Sequence, residues 1–105
     1  MLTNFLTEDG TYNCQEELAE DKKVHDVGRI RYMNGFLEWI SKALEEGIDI
    51  RGYYAWSLFD NWEWSAGYSM RFGLIHVDFE TQERIWKDSA YWYQEFIKNR
   101  KKDSL

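Results

Sequence analysis

The sequence predicts an α/β fold in which two strands run parallel with a helix crossing between them. Three observations carry this reading. Residues 27–47 repeat apolar side chains at helical spacing, residues 48–60 are apolar on both alternating sets of a strand, and residues 88–102 close with a second helical stripe. A strand that is apolar on both faces belongs in a parallel sheet covered by helices. Two consecutive strand–helix units imply a right-handed parallel crossover. Two parallel strands do not make a closed sheet, so the order fits either a tiny domain with exposed edges or a segment of something larger.

The first strand is "LTNFLTEDG", residues 2–10, with Leu2, Phe5 and Leu6 as its apolar members and Gly10 as its break. Residues 11–26 lack a sustained period and are rich in charge, so they read as a surface loop with a helical turn near 16–19. In the helix of 27–47, Ile30, Met33, Leu37, Ile40 and Leu44 form one stripe, widened by Phe36 and Ala43, and Trp39 is expected to pack with it. Asp26 is the expected N-cap and Gly47 the C′ residue. The strand of 48–60 carries Ile50, Tyr54, Trp56 and Leu58 on one set and Tyr53, Ala55 and Phe59 on the other. Residues 61–70 read as a loop, and 71–87 as two short strands around Glu80, Thr81 and Gln82. The last helix, 88–102, takes Asp88 or Ser89 as N-cap and buries Trp92, Tyr93, Phe96 and Ile97, with a basic tail that suits its C-terminus.

The bulk numbers narrow the function. A chain of 105 residues allows one small domain with a modest core. Its net charge of −6 repels phosphate backbones, so nucleic acid is not an expected partner. No apolar run reaches the length of a membrane span and no signal peptide is expected. The single cysteine, Cys14, has no internal disulfide partner, which fits a reducing, cytoplasmic location. His25 and His76 lack His, Cys or acidic partners at metal-ligand spacing, so neither a metal nor a cofactor is expected.

The aromatic content of 18% is the unusual feature, and it concentrates at Trp56, Trp62 and Trp64, with Glu63 between the last two. A hydrophobic core would explain the rings. So would a sugar pocket, because a sugar offers apolar C–H faces and a rim of hydroxyls. Glu8 stands where a strand ends and a turn begins.

These stretches resemble the C-terminal end of a family 1 glycoside hydrolase of the β-glucosidase type. "LTEDG" resembles the Thr-Glu-Asn-Gly signature at the end of that family's seventh strand, "GYYAWSLFDNWEW" its eighth strand and following loop, and "GYSMRFGLIHVDFETQERIWKDSAYWY" the remainder through the last helix. The resemblance implies that residues 1–105 are a single segment, strand 7 end to helix 8, the last two β–α units of a (β/α)8 TIM barrel and incomplete as a stand-alone chain. It implies a retaining enzyme with Glu8 as nucleophile. It further implies that Trp56 stacks on the sugar ring, Glu63 accepts two hydroxyl hydrogen bonds, Trp64 adds an indole N–H contact and Phe72 lines the wall. Retention of the acid at Glu63 implies β-glucoside or oligosaccharide substrates without a phosphate.

Asp9 departs from the signature's usual Asn, and a second carboxylate beside Glu8 is expected to raise an apparent pKa of the pair. The acid/base glutamate of the family's Asn-Glu-Pro motif is absent from the chain. The expected partners are therefore a complementary N-terminal barrel piece or further copies of this chain. The alternatives are a non-catalytic carbohydrate-binding fragment and a structural or interaction fragment.

Overall fold

The computed structural model describes residues 4–11, 18–62, 67 and 70–103, with side chains for 9–11, 18–62, 67 and 70–100. The elements run β1 (Asn4–Gly10), α1 (Val27–Glu45), β2 (Ile50–Trp56), β3 (Ile75–Val77), β4 (Arg84–Trp86) and α2 (Asp88–Asp103). β1 and β2 pair in parallel, and β3 and β4 form a separate antiparallel pair. The strand–helix–strand order expected from the periodicities is thus present.

The β1–β2 register is uneven. Leu6 stands opposite Tyr53 and Asp9 opposite Ala55, so three steps along β1 match two along β2. One residue of the Thr7–Glu8 pair is therefore extra, which is a β-bulge.

The end of α1 explains its sequence. The Gly47 amide donates to the Leu44 carbonyl and the Ile48 amide to the Ala43 carbonyl, the paired bonds of a Schellman stop. Gly47 has φ of +90°, which a glycine adopts without steric penalty. The start of α1 departs from expectation, because the Asp26 side chain makes no capping bond to its own helix. Its carboxylate instead accepts the Ser89 amide at 2.9 Å and the Ser89 hydroxyl, and so caps α2.

Met33, Leu74 and Ala90 form the core, with Tyr32, Ala55, Trp92 and Tyr93 packed around it. The sequence overstates the burial elsewhere. The strand expected over 48–60, covered on both faces, ends at Trp56, and Tyr54 within it and Leu58 beyond it are each 58% exposed. Trp39, expected to pack, is also exposed, with the Lys42 ammonium over its ring, 4.6 Å from the centroid. Periodicity identifies which face is apolar but not whether this chain supplies the cover. The radius of gyration, 15.4 Å, exceeds the roughly 13 Å of a compact domain of this size.

The β3–β4 hairpin is tied to the end of β2. Leu74 N–H donates to the Ser57 carbonyl, Ile75 N–H to Leu58, and Asp60 N–H to Ile75. The hairpin turn is stitched by Asp78, whose carboxylate accepts the amides of Glu80 and Thr81.

Candidate active site

The parallel pairing brings the C-terminal ends of β1 and β2 side by side, with Gly10 opposite Trp56. Gly10 is required there: a Cβ would lie 2.5 Å from the Trp56 carbonyl oxygen. The Glu8 backbone sits two residues earlier, inside the bulge. The Trp56–Ser57 peptide is cis, and the Ser57 amide donates to the Phe72 carbonyl at 3.2 Å. Glu8, Trp56 and Phe72 therefore share one end of the strand pair. Trp56 is 40% exposed and Phe72 half-buried. The Glu8 side chain, and Glu63 and Trp64 entirely, lie outside the described residues.

Charged groups hold this end together, and sequence reasoning missed most of them. Asp9 is buried and accepts the Tyr32 hydroxyl at 2.7 Å and the Tyr53 hydroxyl at 2.6 Å. Burial, then the Asp9 hydrogen bond, push the Tyr32 phenol up to about 12. The same causes, in the same order, raise Tyr53. The expectation that Asp9 acts mainly as a charge on Glu8 overlooked these hydroxyls, which lie 23 and 44 residues away in the chain.

Asp60 and Arg71 flank the stretch of sequence that contains Glu63 and Trp64. The two pair at 2.7 Å. Asp60 also accepts from the Lys87 ammonium at 2.9 Å and from the Gly73 amide at 3.0 Å. Burial alone would raise this carboxyl, but the Lys87 charge and the bonds from Lys87, Arg71 and Gly73 outweigh it and hold it below the ordinary value. Buried Arg29 continues the network, donating to Asp26 at 2.6 Å, to the Arg71 carbonyl at 2.6 Å and to the Thr11 carbonyl at 3.4 Å. A signal was available at Arg71, which interrupts the apolar run from Met70 to Ile75, and at Asp60, which ends the run from Tyr53 to Phe59.

His25 also has acidic partners, contrary to expectation. Its Nδ1 lies 2.7 Å from Asp88 and its Nε2 2.8 Å from Asp21. The bond to Asp88, then that to Asp21, raise its pKa. The expectation missed Asp21, one helical turn earlier in sequence, and Asp88, which only the tertiary fold brings close. Among the described residues no group of three His, Cys, Asp or Glu side chains can hold a metal ion, and no helix is long and apolar enough to cross a membrane.

A parallel strand pair joined by a helix, with an irregular register and an exposed tryptophan at the strand ends, defines a piece of an α/β fold. The chain belongs to glycosyl hydrolase family 1, whose profile matches residues 2–102. Beta-glucosidase A of Thermotoga maritima is 46% identical over 90% of this chain and 21% of its own length. A 6-phospho-beta-galactosidase of Staphylococcus aureus is 45% identical over 91% of this chain and 20% of its own. The solved structure of the family 1 β-glucosidase from Thermotoga maritima superposes with a TM-score of 0.88 at 46% identity, covering 90% of this chain and 21% of the other. The chain thus spans about a fifth of the length of these relatives, and is a fragment relative to them.

Proposed function

We propose that this chain is the C-terminal, nucleophile-bearing segment of a retaining β-glucosidase, made of the last two β–α units of a (β/α)8 barrel. The observation that carries the reading is the parallel β1–β2 pair, which sets the Glu8 backbone beside Trp56 at the strands' C-terminal ends. That is the face on which such barrels build their active sites.

In this reading Glu8 attacks the anomeric carbon and forms a covalent glycosyl-enzyme. A second carboxyl group, about 5–5.5 Å from it in retaining enzymes, protonates the leaving oxygen and then activates water. That group belongs to barrel units outside these 105 residues, which lack the Asn-Glu-Pro motif, and a complementary N-terminal piece would supply it. Trp56 stacks on the sugar, Glu63 accepts from two of its hydroxyls, Trp64 donates its indole N–H, and Phe72 forms the wall. Charge strengthens both bonds to Glu63.

The substrate class is an unphosphorylated β-glucoside or oligosaccharide. This rests on Glu63, whose charge opposes a phosphate, and not on identity, since the relative named for a phosphorylated galactoside is nearly as similar as the one named for glucosides. The lone Cys14 fits a cytoplasmic enzyme.

Co-expression with an N-terminal piece of a relative, carrying the missing units, tests the assignment. A 2-fluoroglucoside with a good leaving group should trap Glu8 covalently. Glu8→Ala should abolish turnover, and Glu63→Ala should mainly weaken substrate and transition-state binding. A label at any other residue refutes the role of Glu8.

A further inference from the structure

We propose that Asp9 is a positioning residue for Glu8, using the hydroxyls of Tyr32 and Tyr53 to fix the bulge that carries it. The inference rests on the reading of Glu8 as nucleophile. Three observations converge on the same point of the chain.

The first is the bulge. Three steps of β1, Leu6 to Asp9, oppose two of β2, Tyr53 to Ala55. A bulge leaves a residue outside the ladder and re-aims the side chains around it, so the ladder alone does not determine its geometry. Some other interaction must fix it.

The second is the clamp directly after the bulge. Tyr32 reaches Asp9 from α1 and Tyr53 from β2, one hydroxyl to each carboxylate oxygen. Asp9 is 8% exposed, so these bonds are sheltered from water. Two donors on two elements fix both the depth and the twist of the Asp9 side chain, which a single bond would not.

The third is the lack of slack beyond the clamp. Gly10 lies against the Trp56 carbonyl with no room for a Cβ, and Arg29 donates to the Thr11 carbonyl. Glu8 is therefore succeeded by three consecutive restrained residues. A nucleophile misplaced by an ångström can lose on the order of a hundredfold in rate, so such restraint has a catalytic use.

The residue type also matters. A carboxylate accepts from both phenols at once. An asparagine offers one acceptor oxygen and turns its NH2 toward the other phenol, which must then reverse its role. Asp9 thus matches two donor tyrosines without rearrangement.

Hydrogen exchange of the backbone over residues 4–11, monitored by mass spectrometry on the chain and its variants, tests the clamp with no substrate present. Tyr32→Phe with Tyr53→Phe leaves a buried carboxylate without its phenols. Exchange over 4–11 should rise at least tenfold, while α2 stays within about twofold. Adding Asp9→Leu removes the stranded charge and should recover most of the protection, because replacing every member of a polar cluster is far less damaging than replacing one side of it. An unchanged rate in the double variant overturns the proposal. So does equal acceleration across α2, or no recovery with Asp9→Leu.

A kinetic arm separates positioning from mere stability. With the complementary piece present, Tyr53→Phe should slow covalent trapping by the 2-fluoroglucoside about tenfold while leaving its reversible affinity unchanged. A change in affinity with an unchanged trapping rate overturns the positioning role. If the parent is never trapped at Glu8, the hydrolase reading fails, and the exchange result still decides whether Asp9 holds the bulge.

Discussion

The Asp60 carboxylate meets the Lys87 ammonium at 2.9 Å, with both side chains wholly out of solvent. One lies just after β2 and the other just before α2, so the pair pins the chain leaving β2 to the start of the last helix. Lys87→Met would leave Arg71 at 2.7 Å and His76 at 3.8 Å beside this buried carboxylate. Breaking a buried pair from one side costs about 3–5 kcal/mol. Urea denaturation of the folded chain, alone or with its complement, should show a loss of that order. A loss below about 1 kcal/mol would mean that Arg71 and His76 suffice.

The two flanks of the pH–stability curve should have different owners. Asp60 is held below its ordinary pKa, so its contribution is present above the unfolded carboxyl value and is lost as pH falls through the lower folded value. His25 is raised, so its contribution is complete below the unfolded imidazole value and is lost as pH rises through the higher folded value. His25 is about half exposed, which makes its effect small and salt-sensitive. Melting curves of His25→Gln should lose the near-neutral part of the pH dependence, together with a small acid-side part from Asp21, whose carboxyl the His25 bond holds below its ordinary value, while keeping the Asp60 contribution. A change confined to the acid flank would contradict the assignment.

Gly73 should tolerate no side chain. A Cβ there would meet the Asp60 amide nitrogen at 2.2 Å and the Phe59 carbonyl carbon at 2.5 Å, both rigid backbone. Overpacking typically costs about 1–3 kcal/mol. Gly73→Ala should therefore lower the melting temperature measurably, whereas Gly28→Ala, with nothing within 4 Å, should not. Equal effects at the two sites would refute the steric explanation.

Much of this architecture is legible in the sequence. The apolar stripe of 27–47 places α1, the turn residues 80–82 place the hairpin, and Gly47 marks the helix stop. What escapes are relations that span the chain. Asp26 caps the helix 63 residues downstream and not the one it precedes. Asp9 finds its phenols on two other elements, and His25 finds Asp88. Local spacing carries no information about such contacts. Burial of β2 is overstated for a related reason, because an apolar pattern records the need for cover and not its source. Glu8, Glu63 and Trp64 stand out through a family resemblance, which the bare periodicities would not have supplied.

That uncovered surface should make the chain associate. Tyr54, Leu58, Trp86 and Ile97 are all exposed, and a groove of about 290 Å³ lined by Tyr53, Tyr54, Ala55, Leu58, Leu74 and Tyr93 lies beside β2. Sedimentation should find oligomers, a complex with the complementary piece, or a loosely folded monomer. Tyr54→Glu with Leu58→Glu should reduce association by placing charges on the apolar face. A compact parent monomer with a cooperative thermal transition would refute the expectation.

Alone, the chain should not hydrolyse aryl β-glucosides. It lacks the acid/base motif, and general acid catalysis is worth about 10²–10⁴-fold by itself. Turnover by the purified 105-residue chain that disappears in Glu8→Gln would overturn this.

The bond from Ser89 to Asp26 also sets a clock for synthesis. Asp26 leaves the ribosome 63 residues ahead of the serine whose amide and hydroxyl it will accept. At about 5–20 residues per second, that is a wait of roughly 3–13 s. Throughout that interval the Asp26–Arg29 pair lacks its third member, and when Ser89 emerges α2 finds its cap already made. Docking of the two helices through this bond therefore cannot precede synthesis of residue 89, and a ribosome stalled before it would hold a chain in which that docking has not begun.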